Sequence, residues 1–76
     1  MPIIYRYSGL IIEWRTRDHP PPHVHARYGD FEVMIEVKSG KVTGRMPPKQ
    51  LKSACQWVEE NRQDILLQWD QHHGQR

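Results

Sequence analysis

The sequence predicts an α+β domain: a small antiparallel sheet of about five hairpin-connected strands packed on one carboxy-terminal α-helix. Three observations predict it. Apolar and polar residues alternate over five short runs between residues 3 and 45, and glycine-containing turns separate most of them. From Lys49 to about Asp70 the apolar spacing changes to three and four residues.

In the first run Ile3, Tyr5 and Tyr7 alternate with Ile4 and Arg6; in the second Leu10, Ile12 and Trp14 alternate with Ile11, Glu13 and Arg15. Closing the hairpin at Ser8-Gly9 pairs Tyr7 with Leu10, Tyr5 with Ile12 and Ile3 with Trp14, all on one face. Pro20, Pro21 and Pro22 lack the backbone N–H that a ladder needs, so residues 16–22 read as a stiff connector. The turn at Gly29-Asp30 then sets Tyr28 against Phe31, Ala26 against Val33 and Val24 against Ile35 on the apolar side. On the other side Arg27 faces Glu32, His25 faces Met34 and His23 faces Glu36. A last turn at Ser39-Gly40 places Val42 opposite Val37 and Thr43 opposite Glu36.

Met46-Pro47-Pro48 ends the sheet and suits a helix start. Leu51, Ala54, Cys55, Val58, Ile65, Leu66 and Trp69 form the stripe of a single helix covering the apolar face. Arg62 falls inside that stripe and reads as a snorkelling side chain; Trp57 falls off it and reads as a rim residue, or more sharply as a partner contact. Residues 1–70 are therefore expected to form one domain and residues 71–76 a disordered tail, with His72 and His73 inert.

Composition limits the functions open to the chain. A 76-residue domain buries only about 60% of the surface its unfolded chain exposes, which leaves no room for an enclosed cofactor, and none is expected. The lone Cys55 cannot form an internal disulfide, and neither a signal peptide nor a membrane-spanning run is present, so a soluble cytoplasmic protein without membrane association is expected. Residues 1–52 carry nine Lys/Arg against five Asp/Glu, and residues 53–76 two against four. Any phosphate-binding surface belongs to the sheet, although a merely solvated face with an acidic helix accounts for the same charges.

With one face under the helix, the opposite face is expected to be open, carrying His23, His25, Arg27, Glu32, Met34, Glu36, Thr43 and Arg45, with Ile4 and Ile11 making part of it apolar. Three chemistries suit it. A Glu36–His23 pair orients a general base, His25 serves as acid and Arg27 or Arg45 holds a phosphate, the set that metal-independent RNA cleavage requires. Alternatively, His23 and His25 project to one side of a strand and form a metal site with Asp18, His19 or Glu36, although Glu32 follows later than a cupin-type metal strand would place it. The third possibility is a protein-docking face. The plain alternative to all three is a set of cross-strand salt bridges worth a few tenths of a kcal/mol to about 1 kcal/mol each. No aromatic residue is expected on this face, which counts against base stacking.

The stretch from Asp18 to Gly29 resembles a family of short bacterial proteins whose signature is Asp-His-x-Pro-Pro-His-x-His-Ala-x-Tyr-Gly. Pro20 stands at its first variable position. Similarity extends to Met-Pro-x-Ile at the amino terminus, to Gly40, to Gly44 with the proline that follows, and to Trp57 and Trp69. The family is one of unknown function, often encoded beside a second small domain in a toxin–antitoxin-like pair. The resemblance implies a bacterial cytosolic protein with a small partner encoded nearby, and points to Asp18, His19, His23, His25 and Tyr28 as site residues. Where that family commonly carries an acidic residue this chain has Arg27, which disfavours a carboxylate-rich metal site and favours a phosphate contact. The expectation is an RNA-directed component of such a module, ribonuclease-like in its sharpest form, with Asp18, His19, Arg27, Tyr28 and Arg45 binding substrate around His23, His25 and Glu36; a metal-binding or interaction module without catalysis is the alternative.

Overall fold

A computed structural model of the chain describes residues 3–13 and 21–73. Five strands, β1 (Ile3–Tyr7), β2 (Leu10–Glu13), β3 (His23–Tyr28), β4 (Phe31–Glu36) and β5 (Val42–Arg45), form one antiparallel meander in that order, followed by helices α1 (Pro48–Glu60) and α2 (Arg62–His73). The fold is α+β, as the alternation requires. Leu10, Ile12, Val24, Ala26, Val33 and Ile35 project from one face of the sheet and are buried with Ala54 and Val58 of α1 and Ile65 and Trp69 of α2. Five of the six sheet side chains, all but the small Ala26, each stabilise by about 1.5–3 kcal/mol when fully buried, which makes the apolar seam the main source of stability. No helix among the described residues is long and apolar enough to cross a membrane.

The central hairpin has the expected register at all six positions, from His23 opposite Glu36 to Tyr28 opposite Phe31. Gly29, at φ 59°, supplies the left-handed turn that fixes it. Two outer registers differ from expectation. In β1 the pairs Tyr7–Leu10 and Tyr5–Ile12 hold, but Ile3 lies opposite Glu13 because a bulge intervenes between Ile3 and Tyr5. Bulges of this kind are common at sheet edges, where they increase twist. Trp14, the expected partner of Ile3, lies outside the described residues.

At the other edge Val42 pairs with Ile35 and Thr43 with Met34, two residues along from the expected partners. The reason is the turn, which spans residues 37–40 rather than Ser39-Gly40 alone. Val37 stays in register with β3, its N–H donating to the Pro22 carbonyl at 3.0 Å, while its carbonyl, opposite a proline without an N–H, accepts from Arg62 Nε at 2.8 Å. The turn widens to fit, with Gly40 N–H donating to the Glu36 carbonyl and Glu36 N–H to the Lys41 carbonyl. A shift of two residues keeps every side chain on its intended face. Gly44 allows β5 to lie this close, since a Cβ there would stand 2.6 Å from the Glu32 carbonyl oxygen and its φ is 112°.

The single expected helix is two. Asn61 sits between them with its backbone N–H and its Nδ2 both donating to the Trp57 carbonyl, at 3.0 and 2.9 Å. A short amide side chain competing for that carbonyl ends α1, and the Asn61 carbonyl then receives Ile65 N–H as α2 begins. Arg62 does not snorkel; its bond to Val37 pins the start of α2 to the end of β4. Trp57, expected at the rim, is half-buried and stacks on Tyr5 with ring centres 4.9 Å apart. The second helix continues to His73, past the Asp70 limit set by the apolar stripe.

Candidate functional site

Alternation along β3 sends His23, His25 and Arg27 to the face opposite Val24 and Ala26. The structure brings these three together with Glu13 of β2 and Glu32 of β4. This face is not the open one expected: His23, His25 and Glu13 are 7%, 5% and 5% exposed. For His23 one cause is visible. Trp69 of α2 lies against it, ring centres 5.5 Å apart, so the second helix contributes to both faces of the sheet. Farther along the face, Met34, Thr43 and Arg45 are exposed.

The hydrogen bonds determine what each ring can do. His23 Nδ1 stands 2.8 Å from the Pro21 carbonyl, which accepts but cannot donate, so Nδ1 carries the proton. His25 Nδ1 stands 3.2 Å from Glu32 Oε2 and donates to that carboxylate. In the neutral form each ring therefore carries its lone pair on Nε2. The two rings meet edge to face, with centres 5.2 Å apart. Arg27 Nη2 donates to Glu13 Oε1 at 3.3 Å, which places a positive charge beside a buried carboxylate.

Several expected partnerships are thereby redrawn. His23 and Glu36 are cross-strand neighbours in register, but Glu36 accepts from Ser39 Oγ at 2.8 Å, and the carboxylate bonded to an imidazole is Glu32, on His25. Glu32 lies diagonally across from His25, within reach of a long side chain, and that diagonal was the signal available in the sequence. Arg27 stands opposite Glu32 in the ladder yet reaches Glu13 on the other neighbouring strand. Arg45 is opposite Glu32 at the edge, exposed. Tyr28 projects to the other side of the sheet, where with Tyr7, Leu10, Lys49 and Ser53 it lines a groove of about 280 Å³. Asp18 and His19 lie outside the described residues. Glu13 and Trp69 are the site neighbours that sequence reasoning did not single out; Glu32 was expected on this face, but as the partner of Arg27.

Among the described residues no group of three or more His, Cys, Asp or Glu is placed to hold a metal ion. Chemically, the constellation is two oriented imidazoles, one backed by a carboxylate, next to an arginine–carboxylate pair.

No curated protein and no solved structure matches the chain. A family model does match, over residues 9–70, a span that contains β2 to β5, all of α1 and most of α2. Every residue of the constellation lies within it. The chain accordingly belongs to the family described as Domain of unknown function (DUF4160).

Proposed function

We propose that this chain is an RNA-directed protein, the catalytic component of a toxin–antitoxin-like pair, and that His23 and His25 cleave a phosphodiester by acid–base chemistry. The observation that supports it is the pair of Nδ1 hydrogen bonds, to Pro21 and to Glu32, which orient both rings and set the tautomer of each. Low exposure is compatible with such roles, because a desolvated base and acid act on a group that enters the site. His23, held by a neutral carbonyl, takes the proton of a ribose 2′-hydroxyl. The 2′-oxygen then attacks phosphorus and the bond to the 5′-oxygen breaks. His25, whose positive charge Glu32 compensates when the ring is protonated, gives its proton to that leaving oxygen. The products are a 2′,3′-cyclic phosphate and a 5′-hydroxyl, and solvent restores both rings. Arg27 and Arg45 supply positive charge for the phosphate.

The test is cleavage of labelled single-stranded RNA by the full chain in the presence of a chelator. Cyclic-phosphate products are expected, with His23→Gln and His25→Gln each slowing the reaction by about 100-fold or more. Unchanged cleavage in both folded variants, or no cleavage of any RNA by the chain with or without its partner, removes the catalytic assignment.

A further inference from the structure

We infer that Arg6, Arg27 and Arg45 form a phosphate track across the sheet, holding a single-stranded RNA segment of about four nucleotides with its central phosphate beside His25. The choice of RNA rests on the preceding reading, but binding along the track does not require that the histidines cleave.

The pairing of all five strands carries it. Arg6 lies opposite Ile11, Ile11 opposite Arg27, Arg27 opposite Glu32 and Glu32 opposite Arg45. Residues in one such cross-strand row share a face, so β1, β3 and β5 each place an arginine on the side of the sheet that carries the histidines. The direction of Arg6 has a separate support, since its neighbour Tyr5 packs on Trp57 on the helical side and alternation turns Arg6 the other way. Neighbouring strands stand about 4.8 Å apart, and the row therefore runs about 19 Å from edge to edge, at right angles to the strands. All three arginines are exposed.

Charge selects the ligand. The carboxylate within the row, Glu32, lies 3.2 Å from His25 Nδ1, and Glu13, in the next row, is 5% exposed and accepts from Arg27 at 3.3 Å. Buried Glu13 thus anchors the middle guanidinium, whose side chain is still 46% exposed. Guanidinium groups donate through several N–H groups at once, which suits a repeated phosphate. The row holds no aromatic side chain on which a base could stack, so contact is with the backbone and carries little sequence information. Successive side chains on one face of a strand are about 7 Å apart, the separation of His25 from Arg27 along β3. The phosphate on Arg27 is therefore the one nearest the acid–base pair, with Arg6 and Arg45 holding its neighbours on either side. A single strand fits better than a duplex, because in-line attack by a 2′-oxygen needs a backbone free to leave A-form geometry.

The experiment is fluorescence anisotropy of a labelled single-stranded RNA octanucleotide, protected from cleavage by 2′-O-methyl groups, titrated with the full chain at a series of salt concentrations. With one phosphate neutralised per arginine, log affinity plotted against log salt should fall with a slope of about −2. Arg6→Gln and Arg45→Gln, at the exposed edges of the sheet, should each reduce the steepness by about 0.7 and weaken binding alike for every sequence. Lys49→Gln, on α1 over the other face, should change neither. A tetranucleotide keeps three phosphates and should preserve the slope, whereas a dinucleotide, with one, should lower it to about −0.7. A slope near zero, a slope that neither edge variant reduces, or equal affinity for duplex RNA of the same length would overturn the inference. Binding with the expected slope but no cleavage of unmodified RNA would leave the track standing and remove only the catalytic reading; cleavage by a chain whose salt slope ignores both edge variants would remove the track and leave the histidines in their roles.

Discussion

Residues 23–26 of β3 are buried on both faces, but by different means. Val24 and Ala26 are fully enclosed between the sheet and the helices, while His23 and His25 on the reverse side are nearly as inaccessible and belong to a network of directional bonds. The apolar side gains its stability from area, and a neighbour there is replaceable by another of similar volume. On the polar side each buried group depends on a particular partner atom, so loss of a partner is felt in proportion to how completely the group is buried. A strand segment enclosed on both sides, with hydrophobes on one and histidines on the other, is a rigid support for chemistry that the core itself does not perform.

Trp69 is where the two sides meet, since it is 5% exposed, belongs to the apolar cluster and touches His23. Trp69→Ala is expected to have the largest effect, a loss of about 3–5 kcal/mol in urea-unfolding stability, from the vacated volume. It should also raise the hydrogen exchange of the β3 amides from the polar side. A variant that loses stability without altering the environment of His23 would show that the faces are independent.

The difference between the faces also explains what the sequence revealed. Period-2 alternation and the turn at Gly29 were sufficient for the register of β3 against β4, because a one-residue slip would have placed Val24, Ala26, Val33 and Ile35 on the wrong side. They were not sufficient for β5, whose position depends on the turn running over residues 37–40, closed by Glu36 N–H to Lys41 and Gly40 N–H to Glu36, where Ser39-Gly40 alone suggested a two-residue turn. The break at Asn61 was similarly hard to read, since asparagine is only mildly unfavourable inside a helix and the apolar stripe continues past it. The grouping of His23, His25 and Arg27 followed from their spacing. Their burial did not, because it depends on tertiary packing, including that of α2 against His23. The choice of Glu32 over Glu36 reflects side-chain reach and competition from Ser39, neither of which appears in a pattern of alternation.

A smaller effect separates the two members of the ion pair on the polar face. The Glu13 side chain is 6% exposed and that of Arg27 46%, so most of the desolvation falls on the carboxylate. Arg27→Ala leaves that buried charge without its cation and should cost about 1–3 kcal/mol, between the values typical of surface and fully buried pairs. Glu13→Gln keeps an acceptor for the guanidinium while removing the buried charge, and should cost less. A double-mutant cycle on chemical denaturation measures the coupling, and equal losses for the two single variants would contradict the asymmetry.

The smallest expected effect lies on the apolar side, at the half-buried Cys55 of α1, whose thiol is pushed up from its usual range by desolvation. Burial disfavours the thiolate, so the folded chain holds this proton to higher pH than the unfolded chain does. The resulting stability is fully present below the unfolded thiol's pKa and is lost as pH rises through the folded one. Because the thiolate is the species that reacts, alkylation by iodoacetamide in the native protein should lag behind that of the denatured chain and accelerate only at higher pH. Cys55→Ala should remove the alkaline loss of stability attributable to this group while leaving RNA cleavage unchanged. A Cys55→Ala variant that altered cleavage would mean that α1 communicates with the histidine face, against the separation of roles between the two sides of β3.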